Sequence, residues 1–228
     1  PQGGVISPLL ANIYLHYVLD EWFVKEVVPR MRGRCSLTRF ADDFVMVFEN
    51  YSDCYRVYRV LSKRFRRFGL SVHPDKSKLV DFRFKYRAEN IRKSKTVNFD
   101  FLGFTHYWGL SRRGRAIVCQ KTAKSRLART LKAFNLHCKS HRHRPLDEQW
   151  QRLNRKLIGH YAYFGITGNS KSLRNVKYKV ERLWHKWLGR RSRKSYIPWS
   201  RFGRLLKRFP LAPAKIYHQY IYHQAAKQ

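Results

Sequence analysis

Three features of the sequence predict an α+β fold followed by an all-helical domain. Alternating apolar stretches flank Asp42-Asp43 and return over residues 97–108. Apolar groups recur at the 3.6-residue helical period on both sides of that hairpin. Beyond Leu110 the helical period dominates, set among Lys and Arg. These place helices on one face of an antiparallel sheet over residues 1–110 and a helical domain over residues 111–228.

Ser7-Pro8 is a helix start, since serine can accept an orphan N–H and proline at the first turn loses no bond. Leu10, Ile13, Tyr14, Tyr17 and Val18 continue it at helical spacing to about Phe23. Residues 35–48 carry β-branched and aromatic groups around Asp42-Asp43, the pattern of a hairpin with its carboxylates at the turn. Ser52 is the expected cap of a second helix with Cys54, Val57, Tyr58, Leu61, Phe65 and Phe68 inward, and Gly69 its stop. Residues 70–72, 78–84 and 97–108 read as strands. Residues 121–138 and 146–164 read as helices with narrow apolar stripes, and a third helix, capped by Asn169 or Ser170, runs to the Gly189–Lys194 basic cluster.

The chain is long enough to bury a core. With 49 Lys and Arg against 14 Asp and Glu its net charge is +35, which points to polyanionic partners. The charge is uneven: +8 over Pro1 to Leu110 and +27 over Ser111 to Gln228. Aromatics interleave with the basic residues, as in Trp184-His185-Lys186-Trp187, so the basic half is not a disordered tail. No apolar run approaches the roughly eighteen residues of a membrane span. Four scattered cysteines without a CxxC pair, and no visible secretory signal, imply free thiols in a reducing compartment. Cys138, His141 and His143 lack a fourth zinc ligand at sensible spacing.

Adjacent aspartates at a turn are ordinary turn chemistry. They are also hard oxygen donors suited to Mg²⁺, which is held by one or two carboxylates plus substrate phosphates, as in two-metal phosphoryl transfer. The flanking sequence favours the second reading. PQGGVISPLLANIYLHYVLDEW, RFADDFVMVF, GLSVHPDKSKLVDF and NFDFLGF, in this order, resemble successive blocks of the reverse transcriptase palm, specifically that of bacterial group II intron-encoded proteins. LNRKLIGHYAYFGITGNS and KVERLWHKWLGRRSRKSYIPWSRFGRLLKRFPL are similar to the thumb, or maturase-specific, region of the same proteins.

The resemblance implies a partial polymerase palm over 1–110 and a thumb-like, RNA-binding domain over 111–228. It makes Asp42 the direct Mg²⁺ ligand with Asp43 beside it, and Lys76 the lysine near the triphosphate. Gln2, Gly3, Phe40 and Ala41 would line the nucleotide and template pocket, and Phe101, Leu102 and Gly103 would grip the primer. Arg155, Lys156, Arg190, Arg191, Arg193 and Lys194 would contact RNA. The implied partners are group II intron RNA, an RNA template with its DNA primer, and dNTPs, in a bacterial cytoplasm. The family's palm uses a further aspartate and its fingers upstream of the first block seen here, so a two-ion Mg²⁺ site would take one ligand from before Pro1. The chain by itself is expected to be inactive. The alternative is a non-catalytic maturase acting only as a splicing factor. A ribosomal-type RNA-binding protein would explain the charge but none of the ordered blocks.

Overall fold

The computed structural model describes residues 4, 6–75, 77–82, 97–111, 113–192 and 196–219. Two compact units form, Pro1–Arg83 and Phe84–Gln228. Both mix or carry α and β elements, and their sheets are antiparallel, as the sequence pattern predicts.

In the first unit α1 (Ser7–Leu15) runs on through wider π-type turns, His16–Glu21 and Phe23–Val27, to a 3₁₀ turn at Val28–Arg30. Ile6, not Ser7, is its N-cap, and no side chain caps it. A two-residue turn joins β1 (Cys35–Phe40) to β2 (Asp43–Phe48), with Cys35 opposite Phe48 and Phe40 opposite Asp43. Strand alternation sends Leu37, Phe44, Met46 and Phe48 onto a core of Val18, Leu19, Trp22, Phe23 and Val27 from the first helical stretch. Helix α2 (Tyr51–Arg67) adds Val57, Leu61 and Phe65. Phe23 meets Phe48 edge-on at 6.3 Å, and Phe44 meets Phe65 at 6.0 Å.

Asn50, not Ser52, is the N-cap of α2. Its far end follows expectation: Gly69 has φ +67°, its N–H bonds to the Arg66 carbonyl, and the Leu70 N–H bonds to that of Phe65. This is the Schellman arrangement, with Leu70 and Phe65 in one apolar cluster. Among the described residues, 70–72 and 77–82 are not strands. Leu70 and Val72 pack on the core, but an apolar run becomes a strand only beside a ladder partner, and the hairpin sheet has two strands.

In the second unit β3 (Asn98–Phe101), β4 (Phe104–Leu110) and β5 (Ala116–Thr122) pair in sequence order. The domain change expected near Ser111 therefore falls between two paired strands of one sheet, in the same unit as the helices. Among the described residues four helices follow: α3 (Lys124–Ser140), α4 (Leu146–Phe164), α5 (Ser170–Leu188) and α6 (Trp199–Arg208). Their stripes converge on Leu153, Leu157, Val176, Val180, Trp184 and Phe202. Trp184 is fully buried, and its indole N–H is satisfied by Gln149 Oε1 at 3.0 Å.

Asn169 joins sheet and helices. It is the N-cap position of α5, yet its side chain does not cap that helix. Its Oδ1 accepts from the Thr122 N–H at 3.0 Å, and its amide donates to Thr122 Oγ1 at 2.9 Å and to the Phe164 carbonyl at 2.8 Å. The residue is 1% exposed, so removing the amide leaves buried groups unpaired. Asn169→Ala should lower unfolding stability by about 2 kcal/mol or more, read by denaturant titration of tryptophan fluorescence in a Trp22→Phe background, where the buried Trp184 reports this unit's core.

Candidate active site and nucleic-acid surface

The hairpin tip presents the two sequence-predicted aspartates. Asp42 occupies the apex beside Ala41, and Asp43 opens β2 opposite Phe40. Ala41 has φ +54°, a left-handed conformation that a non-glycine residue holds at a cost of about 1–2 kcal/mol. Both aspartates are exposed, and Phe40 is 66% exposed. Strand alternation puts Phe40 and Asp43 on the outward face with Thr38 and Val45.

What holds the tip is Arg39, which faces the packed side. Its guanidinium forms a bidentate pair with Asp20, Nε to Oδ1 at 2.8 Å and Nη2 to Oδ2 at 2.6 Å. Nη1 donates to Asn12 Oδ1 at 2.9 Å and to the Ala41 carbonyl at 2.9 Å. One side chain thus ties two turns of the first helical stretch to the strained residue before Asp42. Hydrogen bonds from Arg39 hold the Asp20 carboxyl below its ordinary 3.8, against partial burial, and the charges of Arg39 and then His16 add to the effect. The same pair raises the Arg39 pKa.

This pairing leaves the tip negative. Arg39 is the only cation in the hairpin strands, and Asp20 has taken it. Elsewhere in this unit Glu21 pairs with Lys25, Glu26 with Arg30 and Glu49 with Arg34. Asp53, buried at the start of α2, is opposed by desolvation but held below its ordinary value by the backbone N–H groups of Arg32 and Gly33. Among the described residues neither Asp42 nor Asp43 has an ion-pair partner. Two adjacent, solvent-facing, unneutralised carboxylates are the donor chemistry that Mg²⁺ takes. No third acidic, His or Cys side chain joins them among the described residues.

In the other unit Leu102-Gly103, two of the residues the resemblance gives to the primer grip, form a hairpin turn within the expected 97–108 strand run, with Phe101 opposite Phe104. Leu102 (φ +49°) and Gly103 (φ +81°) are both left-handed, as a type I′ hairpin turn requires. A Cβ on Gly103 would lie 3.3 Å from Arg126 Cγ and 3.5 Å from Phe164 Cε1, so glycine also permits close packing. Tyr163 Oη donates to the Leu102 carbonyl at 3.0 Å, its ring stacks on Phe104 at 5.9 Å, and the Ala123 N–H bonds to the Gly103 carbonyl at 2.9 Å. The C-terminal turn of α4 therefore fixes this turn.

On the helical surface Arg155 and Lys156 are exposed along α4, and Arg190 is exposed with its guanidinium 5.5 Å from the Trp187 ring centre. Arg191 is engaged within the fold: it donates to the carbonyls of Arg142 (2.5 Å) and Arg144 (2.9 Å). Cys138 lies in the core, its thiol pushed up to about 12 by burial. Gln2, Gly3, Lys76, Arg193 and Lys194 lie outside the described residues. No described helix is long and apolar enough to cross a membrane.

Sequence reasoning missed Asn12, Asp20, Arg39 and Tyr163. Arg39 had a signal: it shares the inward face with Leu37, and an inward charge requires a partner. Tyr163 had none, since its partner is 61 residues away.

Arg39→Ala should lower the stability of the first unit by about 1–3 kcal/mol by stranding Asp20. Because the folded Asp20 pKa is depressed, its contribution is present above 3.8 and is lost as pH falls through the lowered folded value. The variant should accordingly lose that part of the acid-unfolding slope, measured by circular dichroism against pH.

The chain is 21% identical over 191 residues to an uncharacterised 91 kDa protein in the cob intron of Schizosaccharomyces pombe, an alignment covering 60% of this chain and 23% of that protein. The chain thus spans about a quarter of that relative's length. Residues 1–106, which contain both the Asp42-Asp43 tip and the Phe101–Gly103 turn, match the reverse transcriptase (RNA-dependent DNA polymerase) family.

Proposed function

We propose that the chain is part of a group II intron-encoded RNA-directed DNA polymerase that also binds its intron RNA and assists splicing. The observation that carries this reading is the unneutralised Asp42-Asp43 pair on an anchored hairpin tip, within a segment that matches reverse transcriptases. The cob-intron relative supports the association with introns, and the net charge of +27 over residues 111–228 supports backbone contact with RNA.

In this reading Asp42 and Asp43 hold Mg²⁺, with Asp42 the direct ligand. The bound ions, two with a further ligand from elsewhere in the protein, would activate the primer 3′ hydroxyl and carry the charge of the departing pyrophosphate. Arg39 is a positioning residue: through the Ala41 carbonyl it sets where the Asp42 carboxylate stands. Phe40 and Ala41 shape the pocket for the nucleotide and template, with Gln2 and Gly3, and Lys76 neutralises or protonates the pyrophosphate. The Phe101–Gly103 turn positions the primer end, with Tyr163 holding it in place. Arg155, Lys156 and Arg190, exposed on the helices, contact phosphates.

The second reading, a maturase that only binds RNA, is favoured by the same basic half and needs neither aspartate. In the full-length protein, Asp42→Ala should cut primer extension on an RNA template by at least about a hundredfold. Stability should stay within about 0.5 kcal/mol, as expected of an exposed residue without a partner. Undiminished extension would refute the assignment. Loss of extension with splicing intact would show that the two roles reside in separate surfaces. Affinity for structured RNA should fall more than about tenfold between roughly 50 and 200 mM salt.

A further inference from the structure

The outward face of α2 is built unlike a solvated helix face. Tyr51 and Tyr55, one turn apart, have nearly parallel rings (16°) with centroids 6.1 Å apart, yet they are 56% and 45% exposed. Tyr58 follows at 44%. At 100° per residue Tyr51, Tyr55 and Tyr58 form one rail, and Arg59, Lys63, Arg66 and Arg67 form a second rail beside it. All four cations are exposed, and among the described residues none pairs with a carboxylate.

The helix has one acidic residue, Asp53, which is buried and bound to the loop before β1. Like charges at i,i+4, Arg59 with Lys63 and Lys63 with Arg67, disfavour the helix, and exposed tyrosines bury little. A solvated face would alternate Glu with Lys, and an apolar protein-docking face would not carry four uncompensated cations. Arg59 also lies 6.0 Å from the Tyr55 ring centre, so cation and ring are presented together.

We propose that this face binds single-stranded RNA, with unpaired bases stacking on Tyr51 and Tyr55 and phosphates running along Arg59, Lys63 and Arg66. Rings give sequence-tolerant stacking and the cations track the backbone, the combination that single strands need and duplexes, with their bases already stacked, do not. The site requires neither Asp42 nor Asp43, and it lies outside the strongly basic helical half. It therefore stands or falls separately from the polymerase reading.

The test uses the whole chain and a short single-stranded RNA containing 4-thiouridine, with crosslinks mapped by mass spectrometry, because RNA binding by the basic helical half, as proposed above, would mask a bulk affinity change. Crosslinks are expected within residues 51–67. Y51A/Y55A should reduce them about fivefold or more, whereas Y51F/Y55F should retain them, and a duplex of the same sequence should compete poorly. Circular dichroism of both variants should match that of the parent chain. Crosslinks confined to residues 111–228, or unchanged in Y51A/Y55A, would overturn the proposal. So would a Y51A/Y55A variant that loses self-association in size-exclusion chromatography while its RNA crosslinks persist, since the face would then serve a protein partner.

Discussion

An arginine on the packed face of a hairpin has to find a carboxylate, and in this chain that requirement organises the site. Arg39 cannot turn to solvent without reversing the alternation that sends Leu37, Phe44 and Met46 into the core. It is only 14% exposed, so its charge is compensated locally, and Asp20 supplies the carboxylate from the first helical stretch. The remaining guanidinium hydrogens then reach Asn12 and the Ala41 carbonyl. Register, helix position and tip geometry are thereby coupled. A slip of one residue in the hairpin would expose Arg39, bury Asp43 and release Ala41 from its anchor.

The second unit fixes its turn by different means. The Tyr163 hydroxyl and the Ala123 N–H bond to the turn's two carbonyls, and the Tyr163 ring stacks on the adjoining Phe104, all of them neutral contacts. Behind them Asn169 bonds the end of β5 to the end of α4, so strand and helix termini share one buried amide. The sheet and the helices of this unit are consequently one packing problem. Tyr163 holds its turn only because the last turn of α4 is set against Thr122, and the aromatic contacts of Phe164 with Phe104 at 5.3 Å reinforce the same seam.

Much of this was legible in the residues. The hairpin, the Val57-Leu61-Phe65 stripe of α2 with its Gly69 stop and the three helical stripes after residue 121 follow from periodicity and glycine placement, because each is a local property, whereas Tyr58 and Phe68, expected inward, are exposed. The strands expected at 70–72 and 78–84 are not found among the described residues, since pairing depends on a neighbour that no local pattern specifies. The helix caps lie at Ile6 and Asn50, one or two residues before the expected Ser7 and Ser52, and the Asn169 side chain bonds to Thr122 and Phe164 and does not cap its helix. At the site, the aspartates could be found from their flanking blocks, and the inward register of Arg39 signals that it needs a carboxylate, but nothing local says that the carboxylate is Asp20, 19 residues away.

The distribution of negative charge argues for what the tip does. The chain has 14 acidic residues among 49 basic ones, so almost any carboxylate should have a cation within reach. Seven of the thirteen described carboxylates do: Asp20, Glu21, Glu26, Glu49, Asp53, Glu148 and Glu181 each lie within ion-pair distance of a basic side chain. Two neighbours that remain unneutralised in such a chain are kept so by the fold, which directs the hairpin's one cation inward and its carboxylates outward. A polyanion drawn to the basic surface meets repulsion at this point and nowhere comparable on the hairpin. In the polymerase reading proposed above, divalent cations between carboxylate and phosphate would relieve that repulsion, so the approach of nucleic acid to Asp42 and Asp43 would depend on metal.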